Sequence, residues 1–159
     1  MKGDPKVIEL LNEALKNELT ATNQYWLHYR LLDNAGVKRL AEFERSESID
    51  EMKHADELAE RILFLDGLPN FQMLGRLRIG ENVEEILKAD LELELEAIDQ
   101  LKGAIAHCEG TRDFASRDLF SRILSNEEDH VDHLEQQFEM IAAMGLPNYV
   151  QLQSEPAKE

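Results

Sequence analysis

The sequence predicts an all-α fold: a bundle of four long helices with one long crossover and a short fifth helix near the C-terminus. Three observations predict it. Apolar residues recur at helical spacing through four long stretches. Those stretches pair through short glycine-bearing turns. Between the two pairs lie fifteen residues, Gly67 to Glu81, in which the periodicity fails and which hold Pro69 and three glycines.

Each element follows from local signals. Asp4-Pro5 opens the first helix, since a side-chain acceptor caps the backbone and proline lacks the N–H that would go unpaired. Its stripe runs through Leu11, Leu15, Leu19, Trp26 and Tyr29, and Asn34-Ala35-Gly36 stops it. A second stripe, Leu40, Phe43, Ala55, Leu58, Ile62 and Leu65, ends at Asp66-Gly67. Asn82 with Glu85 three residues on forms a capping box for the third helix. Its stripe is Ile86, Leu87, Leu91, Ile98, Leu101 and Ile105, with a stop at Glu109-Gly110. The fourth carries Phe114, Leu119, Ile123, Leu124, Val131, Leu134, Phe138 and Ile141, and Gly145-Leu146-Pro147 breaks it before a short apolar piece at Tyr149–Leu152. The expected helices are about 5–34, 37–66, 82–109 and 113–144, with a short one at about 147–153, in a single domain over 1–159. A helix of thirty residues is ~45 Å long, and fifteen extended residues reach ~50 Å. The irregular segment therefore spans the bundle and sets helices two and three parallel.

Composition narrows the function classes. A formal net charge of −16 disfavours nucleic acid and anionic membrane as partners and favours cations. A lone cysteine, Cys108, excludes an internal disulfide and a thiolate metal site, and fits a reducing compartment. No signal-type apolar stretch follows Met1–Pro5, and no run approaches the ~20 apolar residues of a membrane span. A cytoplasmic protein with neither membrane nor nucleic-acid partners is expected. Neither a GxSxG elbow nor a phosphate-binding glycine loop is present.

The chemistry sits in two words spelled alike, Glu51-Met52-Lys53-His54 and Glu127-Glu128-Asp129-His130. Each stacks a carboxylate and an imidazole on one helix face. Thirty-three residues before each first Glu stands another, Glu18 and Glu94. Measured from the turns at Ala35 and Gly110, all four carboxylates lie sixteen or seventeen residues away, about 24 Å along their helices. Glu18 lies in line with Leu11 and Leu15, Glu94 with Leu87 and Leu101, Glu127 and His130 with Ile123 and Leu134, and Glu51 and His54 with Leu58. Glu9 and Glu85, equally matched in spacing, fall off the stripes and should be solvated. Four buried carboxylates require cations, and two divalent metals balance four charges. The mixed oxygen and imidazole donors suit iron or manganese, with zinc also compatible. Glu from two helices with Glu-x-x-His from two others is a known donor set of di-iron and di-manganese bundles.

At these residues the chain resembles the bacterioferritins, haem-binding proteins with a ferritin-like four-helix bundle. The likeness runs from Met1-Lys2-Gly3-Asp4 to the region of Tyr149, with Glu47–Asp56 and Arg61–Leu65 the most characteristic stretches. The resemblance implies an iron store with ferroxidase activity that oxidises Fe(II) with O2 or hydrogen peroxide. It makes Glu51 and Glu127 bridge two irons, with Glu18 and His54 completing one and Glu94 and His130 the other. It also implies that Met52 ligates a b-type haem across a two-fold axis. On a helix Met52 points ~100° round from Glu51, so the two can face different ways. A homo-oligomeric shell of 24 subunits built from two-fold dimers follows, with a ferredoxin-like reductase as the partner for iron release. Asp50 matches an inner-surface iron ligand, while Ser46 stands where some members carry histidine. Tyr25 matches a residue near the metal layer. Leu58 and His133 occupy positions where some members carry aromatics, and His28 and His107, lacking matched carboxylates, are expected to be structural. The rival readings are a di-iron peroxidase or oxygenase, a di-manganese catalase, a DNA-protecting mini-ferritin, and a haem shell without ferroxidase activity. The acidic tail, Glu155 to Glu159, speaks against DNA protection.

Overall fold

A computed structural model describes residues 1–154, and among these every regular element is an α-helix: α1 (Pro5–Asn34), α2 (Lys38–Phe64), α3 (Val83–Thr111), α4 (Phe114–Met144) and α5 (Leu146–Ser154). The acidic tail at 155–159 lies outside the described residues. Asp4 accepts hydrogen bonds from the Lys6 and Val7 amides at 2.7 and 3.3 Å, so the expected cap opens α1. Asn82 accepts from the Glu85 amide at 3.0 Å, but Glu85 reaches back to the Glu81 amide rather than to that of Asn82. The box is therefore shifted by one residue on its return side.

Two helix ends differ from expectation. α2 stops at Phe64, where Asp66 turns left-handed with φ 63°. α3 passes through Gly110 and stops at Thr111, because the left-handed residue that closes it is Arg112, with φ 62°. A glycine is tolerated inside a helix, and here the left-handed residue that ends α3 lies two positions beyond it.

α1 and α2 pack as one antiparallel hairpin and α3 and α4 as the other, with α1 against α3 and α2 against α4. What joins the hairpins is a ladder of polar side chains on α1. Asn12 donates to the Leu68 carbonyl and accepts from the Asn70 amide. Higher up, the Gly75 amide donates to Thr20, the Arg78 amide to Gln24 and the Gly80 amide to His28. The connection thus climbs α1 from its first turns to its last and delivers the chain to α3 at the level of the α1–α2 turn. Its backbone, which has no sheet or helix to satisfy it, finds partners rung by rung. The expected crossover and the parallel α2 and α3 follow.

The apolar core is split. One cluster gathers Val7, Leu11, Leu15, Leu58, Ile62 and Phe120, and the other Leu32, Leu40, Leu87, Leu134 and Tyr149, with a small group, Ala21, Tyr25 and Leu93, between. α5 seals the second end: Tyr149 is fully buried and its hydroxyl donates to Gln137 at 2.7 Å. Trp26 departs from the stripe drawn for α1, standing 42% exposed at its edge with the Arg45 guanidinium over its ring.

Asp113 caps α4 through the Ser116 amide at 3.0 Å and pairs with Arg61 at 3.0 Å. Burial opposes its charge, but the Ser116 and Arg61 contacts outweigh that and hold its carboxyl below the usual value. Asp113→Ala is expected to lower stability by about 2 kcal/mol, read as a fall in denaturation midpoint. Because the folded carboxyl is the stronger acid, this contribution is present at neutral pH and fades as pH falls through its folded value. Arg112→Gly should act oppositely, by up to about 1 kcal/mol, by relieving a left-handed residue with a side chain.

Candidate metal centre

Between the two apolar clusters the four long helices each place carboxylates inward. Glu18 comes from α1, Glu51 and His54 from α2, Glu94 from α3, and Glu127 and His130 from α4, and all six are buried. Glu9 and Glu85 are exposed, as the stripes require. The donor atoms fall into two sets, each within 4.8 Å: Glu18, Glu51, His54 and Glu127, and then Glu51, Glu94, Glu127 and His130. Glu51 and Glu127 belong to both. His54 offers Nδ1 to Glu127 at 3.1 Å, Glu18 at 3.6 Å and Glu51 at 3.7 Å. His130 offers the same nitrogen to Glu51 and Glu127 at 3.3 Å and to Glu94 at 3.6 Å.

None of these Nδ1 contacts is a hydrogen bond. Both Nδ1 atoms, both Glu127 oxygens, Glu18 Oε2, Glu51 Oε1 and Glu94 Oε2 are buried and lack a hydrogen-bond partner. Buried polar atoms are rarely left so, and these converge on two points. Donors of this kind, four carboxylates and two imidazoles, fit a pair of divalent transition ions.

Electrostatics say the same. Burial, then the neighbouring carboxylates, push Glu51 well above the usual carboxylate range. Burial and Glu127 do so for Glu94, and also raise Glu18. Glu127 is the exception. Burial opposes its charge, but contacts from Glu94, His130 and His54 outweigh it and hold the carboxyl well below its usual value. Burial likewise works against the charge on His54, yet Glu127 and Glu18 raise its imidazolium to about 10. His130 is raised as well, against burial, by Glu127, Glu47, Glu51 and Glu94. Without metal the layer neutralises itself by holding protons.

The surroundings were only partly legible in the sequence. Tyr25, expected near the layer, donates its hydroxyl to Glu94 at 2.5 Å. His28 is structural in that it carries the crossover, but it also has a carboxylate partner, Asp90, at 2.9 Å on another helix. Glu44 completes a buried cluster with them. That cluster is a poor metal site. The Gly80 amide donates to His28 Nε2, which puts the ring proton on Nδ1 and aims it at Asp90, so neither nitrogen is free. Burial and the adjacent Asp90 carboxylate push Glu44 well above its usual range, and it stays neutral.

Glu44, Glu47, Asp90 and Asn126 were missed as neighbours of the site. The spacing Glu44, Glu47, Glu51 and the pair Asp90, Glu94 put acids on one helix face, a signal that had been available. Asp50 is half-buried within 4.8 Å of Glu47 and His130, while Ser46 is exposed. A groove of about 440 Å³ between α2 and α4 is lined by Glu47, Asp50, Asn126 and the outer edges of His54 and His130, and so opens the layer to solvent. His133 stacks on Phe43 with ring centroids 3.9 Å apart. Met52, the next residue along α2 and so about 100° round from Glu51, stands 43% exposed, whereas Glu51 is 1% exposed.

Comparison with known proteins gives the kinship. The ferritin-like domain family matches residues 8–144. The chain is 52% identical to the bacterioferritin of Brucella melitensis over 159 residues, which covers all of this chain and 99% of that protein. It is 50% identical to the bacterioferritin of Streptomyces coelicolor over 150 residues, 94% of this chain and 90% of that one. Likewise it is 50% identical to the bacterioferritin of Mycolicibacterium paratuberculosis over 149 residues, 94% of each.

Because the metal-free layer holds protons that metal displaces, adding Zn²⁺ to the metal-free protein in weak buffer is expected to acidify the solution. His54 alone must give up a proton held to about 10. Zinc affinity should therefore rise with pH over roughly pH 6 to 9, measured by competition with a chelating dye. A pH-independent affinity would contradict the protonated layer.

Proposed function

The chain belongs to the bacterioferritin family, and on that footing we propose that it stores iron and oxidises Fe(II) at the buried layer before storage. One observation carries the reading: two converging donor sets that share Glu51 and Glu127 and leave buried oxygens and nitrogens unpartnered. Iron is substrate and cargo here. Two Fe(II) ions enter the layer, Glu51 and Glu127 bridge them, Glu18 and His54 complete one position, and Glu94 and His130 the other. Each ion loses one electron. The pair reduces O2 with two protons to hydrogen peroxide, or hydrogen peroxide with two protons to water.

The chain's own groups support both halves of that change. Carboxylate oxygens are hard donors and favour Fe(III) over Fe(II). Two ferrous ions balance four carboxylates, and the protons that leave Glu51, Glu94 and the imidazoles on metal uptake are available near the oxidant. The groove between α2 and α4 is the route by which ions and oxidant reach the layer. Asp50, half-buried in that groove, serves iron on its way to the mineral.

Met52 is assigned to a b-type haem shared with a second subunit. Its exposure, and the nearby apolar groove lined by Trp26, Leu27 and Leu77 with Ser48 one turn before it, support a partner on that face. Haem bound there would supply an electron path. The subunits form a shell of 24, about 439 kDa at 18.3 kDa each, and a ferredoxin-like reductase serves iron release. The protein is assigned to the cytoplasm, in keeping with its single unpaired cysteine. No helix among the described residues is long and apolar enough to cross a membrane.

Anaerobic Fe(II) titration is expected to saturate at two ions per chain, followed by a ferric absorbance on adding oxidant. The double variant Glu94→Ala, Glu127→Ala should slow oxidation at least ~10-fold while retaining haem. Met52→Leu should lose haem and keep Fe(II) oxidation. Iron oxidation undiminished in the double variant would refute the proposed site.

A further inference from the structure

The two halves of the layer look alike from inside and differ from outside. Both His54 and His130 turn Nδ1 toward the carboxylates, so each presents Nε2 to the groove between α2 and α4. There His54 Nε2 meets the neutral side-chain amide of Asn126 at 3.0 Å. His130 Nε2 meets instead a carboxylate, Glu47, with Oε2 at 2.5 Å as an ion pair whose alignment is not that of a linear hydrogen bond. Glu47 is itself buried, 7% exposed, and reaches this place from α2, a full turn before Glu51.

A carboxylate behind a ligating imidazole draws its outer proton and makes the inner nitrogen a stronger donor, and it adds a negative charge close to the ion. A neutral amide orients the ring and does much less. One contact works the other way: Tyr25 donates to Glu94 at 2.5 Å, which weakens one donor of the His130 position. A hydrogen bond from a neutral hydroxyl to one of several oxygens is the smaller effect, since the carboxylate contributes a full charge as well as an acceptor.

We propose that Glu47 and Asn126 are positioning residues that make the two metal positions unequal. The position of Glu51, Glu94, Glu127 and His130 binds a divalent cation more tightly and fills first. The position of Glu18, Glu51, His54 and Glu127 is the labile one, through which ions exchange with the groove. This inference rests on the metal-binding reading of the layer and concerns the order within it.

Titration of the metal-free assembly with Co²⁺ under argon, followed by the visible d–d bands and by calorimetry, separates the possibilities. The unaltered protein should take up two ions per chain in two steps at least about 10-fold apart. Glu47→Gln should weaken the first step by about 10- to 100-fold and merge the two, and Glu47→Asp should restore part of the gap. Asn126→Asp, a second and independent variant, should tighten the weaker step and leave the stronger one in place. Two equal steps in the unaltered protein, or a gap unmoved by both Glu47→Gln and Asn126→Asp, would overturn the inference while leaving the layer a metal site. Uptake of fewer than two ions would instead overturn the metal-binding reading itself.

Discussion

Everything in this molecule is arranged around the cost of ionised carboxylates in a dry layer. Glu18, Glu51, Glu94 and Glu127 sit between two apolar clusters, at most 2% exposed, where charge is poorly solvated. The chain answers the cost in two currencies, protons or metal. The carboxyls of Glu51 and Glu94 are pushed up by burial and by one another, while His54 and His130 hold protons that Glu127 stabilises. Such a layer contributes little to stability on its own terms, since apolar side chains of equal volume would pack at least as well. Its persistence in the middle of an otherwise ordinary bundle is a functional statement.

The same cost explains the shape of the connection. A bundle joined by short loops throughout would alternate its helix directions strictly. Here the segment from Gly67 to Glu81 runs along α1, held by Asn12, Thr20, Gln24 and His28. By carrying the chain the length of the bundle it sets α2 and α3 parallel, and so brings Glu94 level with Glu18 and Glu51. His28 links the two problems. One nitrogen secures the crossover at Gly80 and the other engages Asp90, one turn from Glu94, beside the neutral carboxyl of Glu44. A second buried polar cluster therefore lies one turn from the carboxylate layer, and hydrogen-bond direction keeps the two distinct.

The layer opens to solvent along the outer edges of the imidazoles. The groove between α2 and α4 exposes Nε2 of both rings while the apolar clusters close the layer above and below. Asn126 and Glu47 face those edges with unlike charge, so chemically matched halves acquire different surroundings. Met52, on the same helix turn as the buried Glu51, is half-exposed, so one short word in α2 reaches both the interior and the surface.

Much of this was legible before any coordinates. Helix periodicity, the Asp4-Pro5 cap and the matched Glu and Glu-x-x-His words determined four long helices, one crossover and six inward-facing carboxylates and imidazoles, because burial along a helix repeats with a period the sequence displays. Helix ends were less legible: Arg112, two residues beyond Gly110, takes the left-handed position, and periodicity does not mark which residue of a turn does so. What tertiary structure alone decided was partnership between helices. That Asp90 meets His28, that Glu47 backs His130 while Asn126 backs His54, and that α1 carries a ladder for the crossover depend on relative rotation and rise of packed helices. Sequence periodicity says which face of a helix turns inward. It does not say which side chain on the opposing helix stands within hydrogen-bond reach, where an ångström of sliding exchanges one partner for another.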